Sequence, residues 1–211
     1  ELDIKISKDL IPIIFHDDTL ERTTNGIGSI IEYAYKDLKK LDAGYFFYKQ
    51  RTKIYIPSFE EIILLSQNSN INLNIELKPT KGFEEKNVES IAKILKQSQF
   101  FNEYFFSSFD LKSLIMMKEL LPNANYGLLV HKFTNNKTIN NIIALAKQYN
   151  FFCCGFNIEI INSEVIDKIL NNNLIITVYS EKNIKVNEAK ELWSKGVSSI
   201  FTDDPSGFKL L

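Results

Sequence analysis

The sequence has few cysteines, no excess of either charge and no long apolar run, and each of these absences excludes a class of protein. The two cysteines, Cys153 and Cys154, are adjacent in an apolar stretch, which predicts buried small side chains rather than a disulfide framework or a metal site. The 25 basic and 26 acidic residues give a net charge of -1. Because nucleic-acid binding normally needs a positive field, we expect no nucleic-acid partner.

The chain also lacks a membrane-spanning pattern. No run approaches the roughly 18 apolar residues that a transmembrane helix needs. The first residues contain neither a basic segment nor the apolar stretch of a signal peptide. We therefore expect a soluble segment without a transmembrane helix. A cytoplasmic location is favoured, and a periplasmic or secreted one remains open if an upstream signal has been removed.

A regular alternation of helices and strands is predicted from about residue 57 onward. Helical spacing of apolar residues alternates with short apolar runs, as in repeated βα units. The predicted strands are residues 1–6, 73–78, 104–109, 126–130, 151–158, 174–179 and 198–202. The predicted helices are residues 57–67, 85–98, 111–121, 138–149, 164–170 and 186–195.

This pattern predicts the α/β class and a TIM (β/α)8 barrel. Continuously apolar strands in βα units indicate a parallel sheet that is buried on both faces. We expect a single domain over residues 1–211, N-terminally incomplete because the first strand and helix are absent from this chain. A small insertion, at about residues 7–55, follows the strand with Glu1 and Asp3. An open doubly wound sheet is the alternative, but no strand is followed by a glycine-rich turn.

Acidic residues on two predicted strands form a candidate metal site. Glu1 and Asp3 share one face of the first strand, and Glu76 and Lys78 share one face of the next barrel strand. Three converging carboxylates repel one another unless a cation neutralises them. Because all the ligands are oxygens, Mg²⁺ or Ca²⁺ is expected. Lys78 beside them would attract an anionic substrate such as a phosphate ester.

Histidines and an arginine complete the list of candidates. His16 ends an apolar run and precedes two aspartates that could orient it, so we interpret it as a general acid or base. His131 also ends an apolar run, but we expect it to have no acidic partner and no direct role. Arg22 could hold a phosphate or pair with the adjacent Glu21.

Eight short segments occur in a fixed order along the chain: Glu1-x-Asp3, His16-Asp17, Arg22-Thr23-Thr24-Asn25-Gly26-x-Gly28, Leu41-Asp42-Ala43-Gly44, Ile56-Pro57-Ser58-Phe59-Glu60-Glu61, Ile75-Glu76-Leu77-Lys78, Ser107-Ser108-Phe109 and Phe201-Thr202-Asp203-Asp204-Pro205. In this order they closely resemble the glycerophosphodiester phosphodiesterase family, over essentially the whole chain. The ordered series is far more specific than any single segment.

The resemblance implies a function. It implies a TIM barrel with a small insertion and metal-dependent hydrolysis of a glycerophosphodiester to an alcohol and glycerol 3-phosphate, a reaction of lipid and glycerol metabolism. By that likeness Glu1, Asp3 and Glu76 match the family's divalent-metal ligands. His16 matches one of two catalytic histidines, and Lys78 matches a residue that contacts the phosphate.

The chain departs from the family at two places, and these leave alternatives open. The His-Arg-Gly segment that ends the family's first strand is not in this chain, so we expect its partner histidine upstream and poor activity of the chain as written. Where the family often has Trp-Thr-Val-Asn, the chain has Ile176-Thr177-Val178-Tyr179. The alternatives are a catalytically silent module that binds metal and phosphodiester, and a phospholipase D-like enzyme that forms a cyclic phosphate.

Overall fold

The structure is a computed structural model that describes residues 1–98, 103–135 and 137–208. The chain divides into two compact units, residues 1–124 and residues 125–211. Each unit contains strands that alternate with helices along the chain.

The first unit is built on a sheet with the strand order β2-β1-β3-β4. Its strands are β1 (Leu2–Ile6), β2 (Pro12–Ile14), β3 (Leu73–Leu77) and β4 (Tyr104–Ser108). Its helices are α1 (Tyr35–Leu38), α2 (Tyr45–Tyr48), α3 (Phe59–Ser69), α4 (Glu84–Gln97) and α5 (Leu111–Leu120), with a 3-10 helix at Ile30–Glu32. β1, β3 and β4 are parallel, whereas β2 is antiparallel to β1.

The second unit is built on a parallel sheet with the strand order β5-β6-β7-β8. Its strands are β5 (Asn125–Val130), β6 (Cys153–Asn157), β7 (Ile175–Tyr179) and β8 (Ser199–Ile200). Its helices are α6 (Ile139–Gln148), α7 (Ser163–Leu170) and α8 (Val186–Ser194), with 3-10 helices at Ile158–Ile160 and Pro205–Phe208.

Each predicted strand and helix is present, with ends that differ by a few residues. The difference in topology is β2, which lies in the predicted insertion and adds an antiparallel strand to a sheet predicted to be parallel. Leu10 adopts a positive φ of 62° in the turn between β1 and β2, and Ile6 then pairs with Pro12. A strand of three residues after so tight a turn leaves no periodic pattern in the sequence.

Burial and helix capping explain why these elements form. Every residue of β3 is buried, as expected for a strand covered on both faces. α3 begins with a capping box, in which the Ser58 hydroxyl accepts from the Glu61 N–H and the Glu61 carboxylate accepts from the Ser58 N–H. Side-chain caps at Asp110, Thr138 and Asn162 begin three further helices.

The insertion has an apolar core of its own. Its buried side chains are Ile13, Phe15, Leu20, Ile30, Leu38 and Ile56. Because Ile13 and Phe15 belong to this core, the residues that follow them are held in one place. The core therefore fixes the start of the segment that contains His16.

The cysteines have the predicted character. Cys153 and Cys154 are buried free thiols in β6. Burial raises the pKa of both thiols, that of Cys154 to about 12, so neither is a reactive thiolate near neutral pH.

In the part of the chain that the structure describes, no helix combines the length and the apolar character needed to cross a membrane.

Candidate active site

Three carboxylates come together where β1 lies beside β3. The parallel register pairs Asp3 with Glu76, and Glu1 immediately precedes β1. One carboxylate oxygen from each of Glu1, Asp3 and Glu76 lies within 4.8 Å of the others. The structure thus brings together the three acidic residues singled out in the sequence. They differ in exposure, since Glu1 is exposed, Asp3 is partly buried and Glu76 is buried.

Glu76 is the most constrained member of this acidic trio. Its side chain is only 9% exposed, and its Oε1 accepts no hydrogen bond from any residue that the structure describes. Burial raises the pKa of Glu76 to about 8, and the charges of Asp3 and Glu1 add to this effect. A buried carboxylate oxygen that accepts no hydrogen bond is costly, so a positive charge close to the trio would stabilise it.

Lys78 supplies part of that positive charge. Its Nζ lies 3.1 Å from Asp3 Oδ1 and 3.7 Å from Glu76 Oε1. The Lys78 side chain is one-quarter exposed, so the ammonium group remains accessible to a ligand. The lysine thus lies beside the acidic trio.

His16 lies in the segment that follows β2, next to the acidic strand. The Phe15 N–H donates a hydrogen bond of 3.0 Å to the backbone carbonyl of Asp3, which fixes the chain one residue before His16. The imidazole is 57% exposed, and its Nδ1 lies 2.6 Å from Asp17 Oδ1. A histidine with one nitrogen held and its ring accessible is suited to proton transfer.

Asp17, which Arg22 holds in place, determines which nitrogen of neutral His16 carries the proton. Arg22 donates through Nε and Nη2 to the two oxygens of Asp17, at 2.5 and 2.8 Å. The Arg22 hydrogen bonds, with a further contribution from His16, lower the pKa of Asp17 to about 2. An ionised Asp17 can only accept, so the proton of neutral His16 lies on Nδ1 and Nε2 is an acceptor. Arg22 thus pairs with Asp17 rather than with Glu21, which accepts from the Gly28 N–H.

Sequence reasoning missed Lys5, and it took Asp18 as a residue that could orient His16, whereas the structure pairs Asp18 with Lys5. Lys5 is buried, and its Nζ donates 2.7 Å to Asp18 Oδ1 and 3.2 Å to the Lys78 carbonyl. Thr80 also donates to Asp18 Oδ1, at 3.0 Å. These bonds tie the His16 segment to β1 and to the end of β3. A signal was present, because Lys5 continues the alternate-residue series of Glu1 and Asp3.

His131, in the second unit, follows β5. Its Nδ1 lies 3.1 Å from the Tyr179 hydroxyl and 3.3 Å from Asn157 Nδ2, and its Nε2 lies 4.0 Å from Glu181 Oε1. The expectation that His131 lacks an acidic partner was wrong. Glu181 follows β7, and only the folded sheet brings it to the end of β5.

The parallel βα units carry an acidic trio, a lysine beside the trio and an accessible histidine. This combination is typical of a phosphate-ester hydrolase built on an α/β barrel. Comparison with known proteins is more specific. The model of the glycerophosphoryl diester phosphodiesterase family matches residues 1–206. The chain belongs to this family.

Individual relatives agree with the family match. A glycerophosphodiester phosphodiesterase of Bacillus altitudinis is 32% identical, over 97% of this chain and 82% of the relative. Another, of Bacillus subtilis, is 28% identical over 99% of this chain and 74% of the relative.

Solved structures agree as well. A phosphodiesterase of Oleispira antarctica, in complex with the product sn-glycerol-3-phosphate, superimposes with a TM-score of 0.86 at 28% identity, covering 96% of this chain and 79% of that one. A Thermotoga maritima glycerophosphodiester phosphodiesterase shares the fold, with a TM-score of 0.73 at 19% identity, covering 100% and 84%. The predicted family, the α/β barrel fold class and the phosphoric diester hydrolase class are confirmed.

Proposed function

We propose that this chain hydrolyses glycerophosphodiesters to an alcohol and glycerol 3-phosphate, using a divalent metal and proton transfer by His16, at the low rate expected in the absence of the partner histidine. The observation that carries the proposal is the convergence of Glu1, Asp3 and Glu76 around Lys78. The Oleispira antarctica relative, solved with sn-glycerol-3-phosphate, supports the same small-molecule substrate class for this chain.

The donor set fits a hard divalent cation. Glu1, Asp3 and Glu76 offer oxygen atoms only, which favours Mg²⁺ or Ca²⁺ over softer metals. The buried Glu76 Oε1 accepts no hydrogen bond from the described residues, and Lys78 Nζ lies 3.7 Å from it, so this oxygen is available to a metal ion. We assign these three residues as the ligands. When bound there, the cation would supply positive charge against the phosphate group of the substrate.

Lys78 binds the phosphate in this proposal. Its Nζ is held 3.1 Å from Asp3 Oδ1, so the ammonium group lies beside the ligands and is fixed before substrate arrives. A fixed ammonium group that donates to a phosphate oxygen offsets the charge that grows there in the transition state. Lys78 thus both orients the substrate and stabilises the transition state.

His16 moves the proton at Nε2. In hydrolysis, the water oxygen forms a bond to phosphorus, the phosphorus–oxygen bond to the alcohol breaks, and the alkoxide that leaves takes up a proton. Neutral His16, held through Nδ1 by Asp17, can accept the proton of the water at Nε2, whereas the imidazolium form can donate to the alkoxide. A rate that rises with pH would assign the base role, and a rate that falls would assign the acid role.

We also infer that residues 1–211 act as one catalytic domain, and that the insertion at about residues 7–55 belongs to this domain. The family match from residue 1 to residue 206 extends through both compact units, which supports this interpretation.

The test is a hydrolysis assay with glycerophosphocholine. The protein is assayed for glycerol 3-phosphate release with Mg²⁺, with Ca²⁺ and after treatment with EDTA, and EDTA is expected to abolish the activity. Glu76→Gln and His16→Ala are each expected to lower kcat by about 10²- to 10⁴-fold. Phosphorus NMR of the products identifies any cyclic phosphate.

The matched control is the other histidine. His131→Ala removes the same side chain at a place that has no part in the proposed chemistry, so its activity should remain close to that of the unaltered protein. Equal losses in the two histidine variants would contradict the role of His16. Activity that survives EDTA, or a chain that binds the substrate and never turns it over, would contradict the proposed reaction.

A further inference from the structure

The short helix α2 presents aromatic side chains to solvent. All of its residues are exposed, with Tyr45 at 38%, Phe46 at 51%, Phe47 at 82% and Tyr48 at 53%. A helix in a folded domain normally hides its apolar side against a neighbour. Adjacent exposed rings of this size mark a surface that contacts something other than water.

The exposed rings belong to a larger apolar surface, the aromatic patch. Phe46 borders two neighbouring hollows, one of which is also lined by Ile27 and Tyr45 and the other by Phe47, Tyr48 and Ile54. Ile27 is 74% exposed and Ile54 is 46% exposed. The aromatic patch therefore consists of Ile27, Tyr45, Phe46, Phe47, Tyr48 and Ile54.

The fold holds the aromatic patch in its exposed position. Asp42 accepts from the Gly44 N–H at 3.0 Å and from both the backbone N–H and the hydroxyl of Thr52. The Ala43 N–H donates 2.8 Å to the Ile54 carbonyl. These bonds close the base of the segment, so the rings are presented by a defined loop.

Basic side chains outnumber acidic ones beside the aromatic patch. Glu21 and Asp42 line the hollow next to Phe46, but their carboxylates accept from the Gly28 N–H and from Thr52. Lys49, Arg51 and Lys53 are all exposed, and residues 43–59 contain no acidic residue. Exposed aromatic rings beside basic side chains are suited to the interface of a bilayer with anionic lipids, where the rings enter the headgroup region and the cations pair with phosphates.

We propose that the aromatic patch and these three cations dock the protein on the surface of an anionic lipid bilayer. The aliphatic Ile27 and Ile54 extend the patch with side chains that enter an acyl boundary but cannot stack on nucleic-acid bases. Symmetric contact with a second copy would bring the same three cations of each chain together, which is unfavourable. The charge of the segment therefore selects the lipid surface. The proposal concerns binding alone and is independent of the proposed hydrolysis.

The test is co-sedimentation of the protein with vesicles, measured without substrate. Vesicles of phosphatidylcholine that contain about one-third phosphatidylserine are compared with vesicles of pure phosphatidylcholine. The protein should bind the anionic vesicles and release as NaCl rises from 0.1 to 0.5 M, since salt screens surface charge. Phe46→Ser with Phe47→Ser should weaken binding more than tenfold, and Lys49→Gln, Arg51→Gln and Lys53→Gln together about 100-fold.

Matched variants control for loss of any exposed side chain. Leu64→Ser with Leu65→Ser removes two exposed apolar residues of α3, and Lys86→Gln, Lys93→Gln and Lys96→Gln together remove three exposed lysines of α4. Both sets should bind the vesicles like the unaltered protein. In a further variant, Phe47→Trp, the emission should shift to shorter wavelength when anionic vesicles are added, because the indole leaves water.

Several results would overturn the proposal. It fails if the aromatic and basic variants bind as well as their controls, or if the indole in Phe47→Trp shows no change of environment. It also fails if the protein does not bind vesicles and sedimentation velocity shows a dimer that Phe46→Ser dissociates. Binding of a single-stranded oligonucleotide in place of vesicles would overturn it as well.

Discussion

At the residue scale, the contact that matters most for His16 is its bond to Asp17. The Asp17 carboxylate bonds to the His16 Nδ1 and also accepts from Nε and Nη2 of Arg22. This arrangement fixes the ring and leaves Nε2 for chemistry. In the proposed mechanism Asp17 therefore acts through His16 and is a positioning residue.

Replacing the positioning carboxylate should slow the reaction without weakening substrate binding. Asp17→Asn keeps the shape of the side chain but removes its charge, so the tautomer and orientation of His16 are no longer fixed. We expect kcat to fall about 10- to 100-fold with little change in KM. Glu21→Gln, at an exposed acid of the same segment that bonds to Gly28, is the control and should retain kcat. A loss confined to KM would contradict this role.

At the element scale, Glu61 joins α1 of the insertion to the first turn of α3. Its carboxylate accepts from the Ser58 backbone, from the Tyr35 and Tyr55 hydroxyls and from Lys39. Partial burial acts to raise the pKa of Glu61, but these hydrogen bonds outweigh it and lower the pKa from 4.5 to about 2. The ionised form is therefore favoured in the folded protein.

Stability should depend on pH through this residue. Because the pKa of Glu61 is lower in the folded state, its stabilisation is fully present above about pH 4.5 and is lost as the pH falls towards 2. The side chain is one-third exposed, so solvent screening reduces the effect, and we expect Glu61→Gln to cost about 1 kcal/mol at pH 7. Urea unfolding at several pH values measures it, and the difference from the unaltered protein should shrink below pH 4.5.

Glu60→Gln is the control for that measurement, since Glu60 is exposed in the same first turn of α3. Its stability should follow that of the unaltered protein at every pH. A Glu61→Gln variant that loses the same stability at pH 7 and near pH 2 would show that the ionised carboxylate is not the cause.

The strands and helices that could be predicted from the sequence are those with a clear periodic pattern of apolar residues. β1 and β3 have alternating or continuous apolar patterns, so their neighbouring acidic residues could be placed on one sheet in advance. β2 could not be predicted, because it has three residues and depends on its antiparallel contact with β1. The pairing of Lys5 with Asp18 likewise depends on the path of the intervening insertion, which has no repeating pattern.

At the scale of the whole molecule, cation binding should add to the stability of the fold. The acidic trio draws on the strands β1 and β3, so an ion that binds there favours the folded state over the unfolded chain. At 100 times its dissociation constant a ligand adds about 2.7 kcal/mol. For a chain of this length we expect Tm to rise by about 5 to 10 °C with Mg²⁺ or Ca²⁺.

Glu76→Gln should abolish this rise, whereas Glu89→Gln, at an exposed acid of α4, should preserve it. Differential scanning calorimetry with and without EDTA measures both, and it does so in the absence of turnover. If Tm rises in Glu76→Gln as much as in the unaltered protein, the metal does not bind at the acidic trio.

The hydrogen bond between the Phe15 amide and the Asp3 carbonyl attaches the first part of the insertion to β1. The two parts of the insertion therefore differ in how far their sequences can change. The part that ends at His16 is attached to β1, so we expect His16, the proposed proton-transfer group, to keep its distance from β1 whatever residues follow it. The part at residues 43–55 is closed on itself through Asp42. We therefore expect that residues 43–55 can be replaced by another segment, which would alter the proposed docking surface without displacing His16.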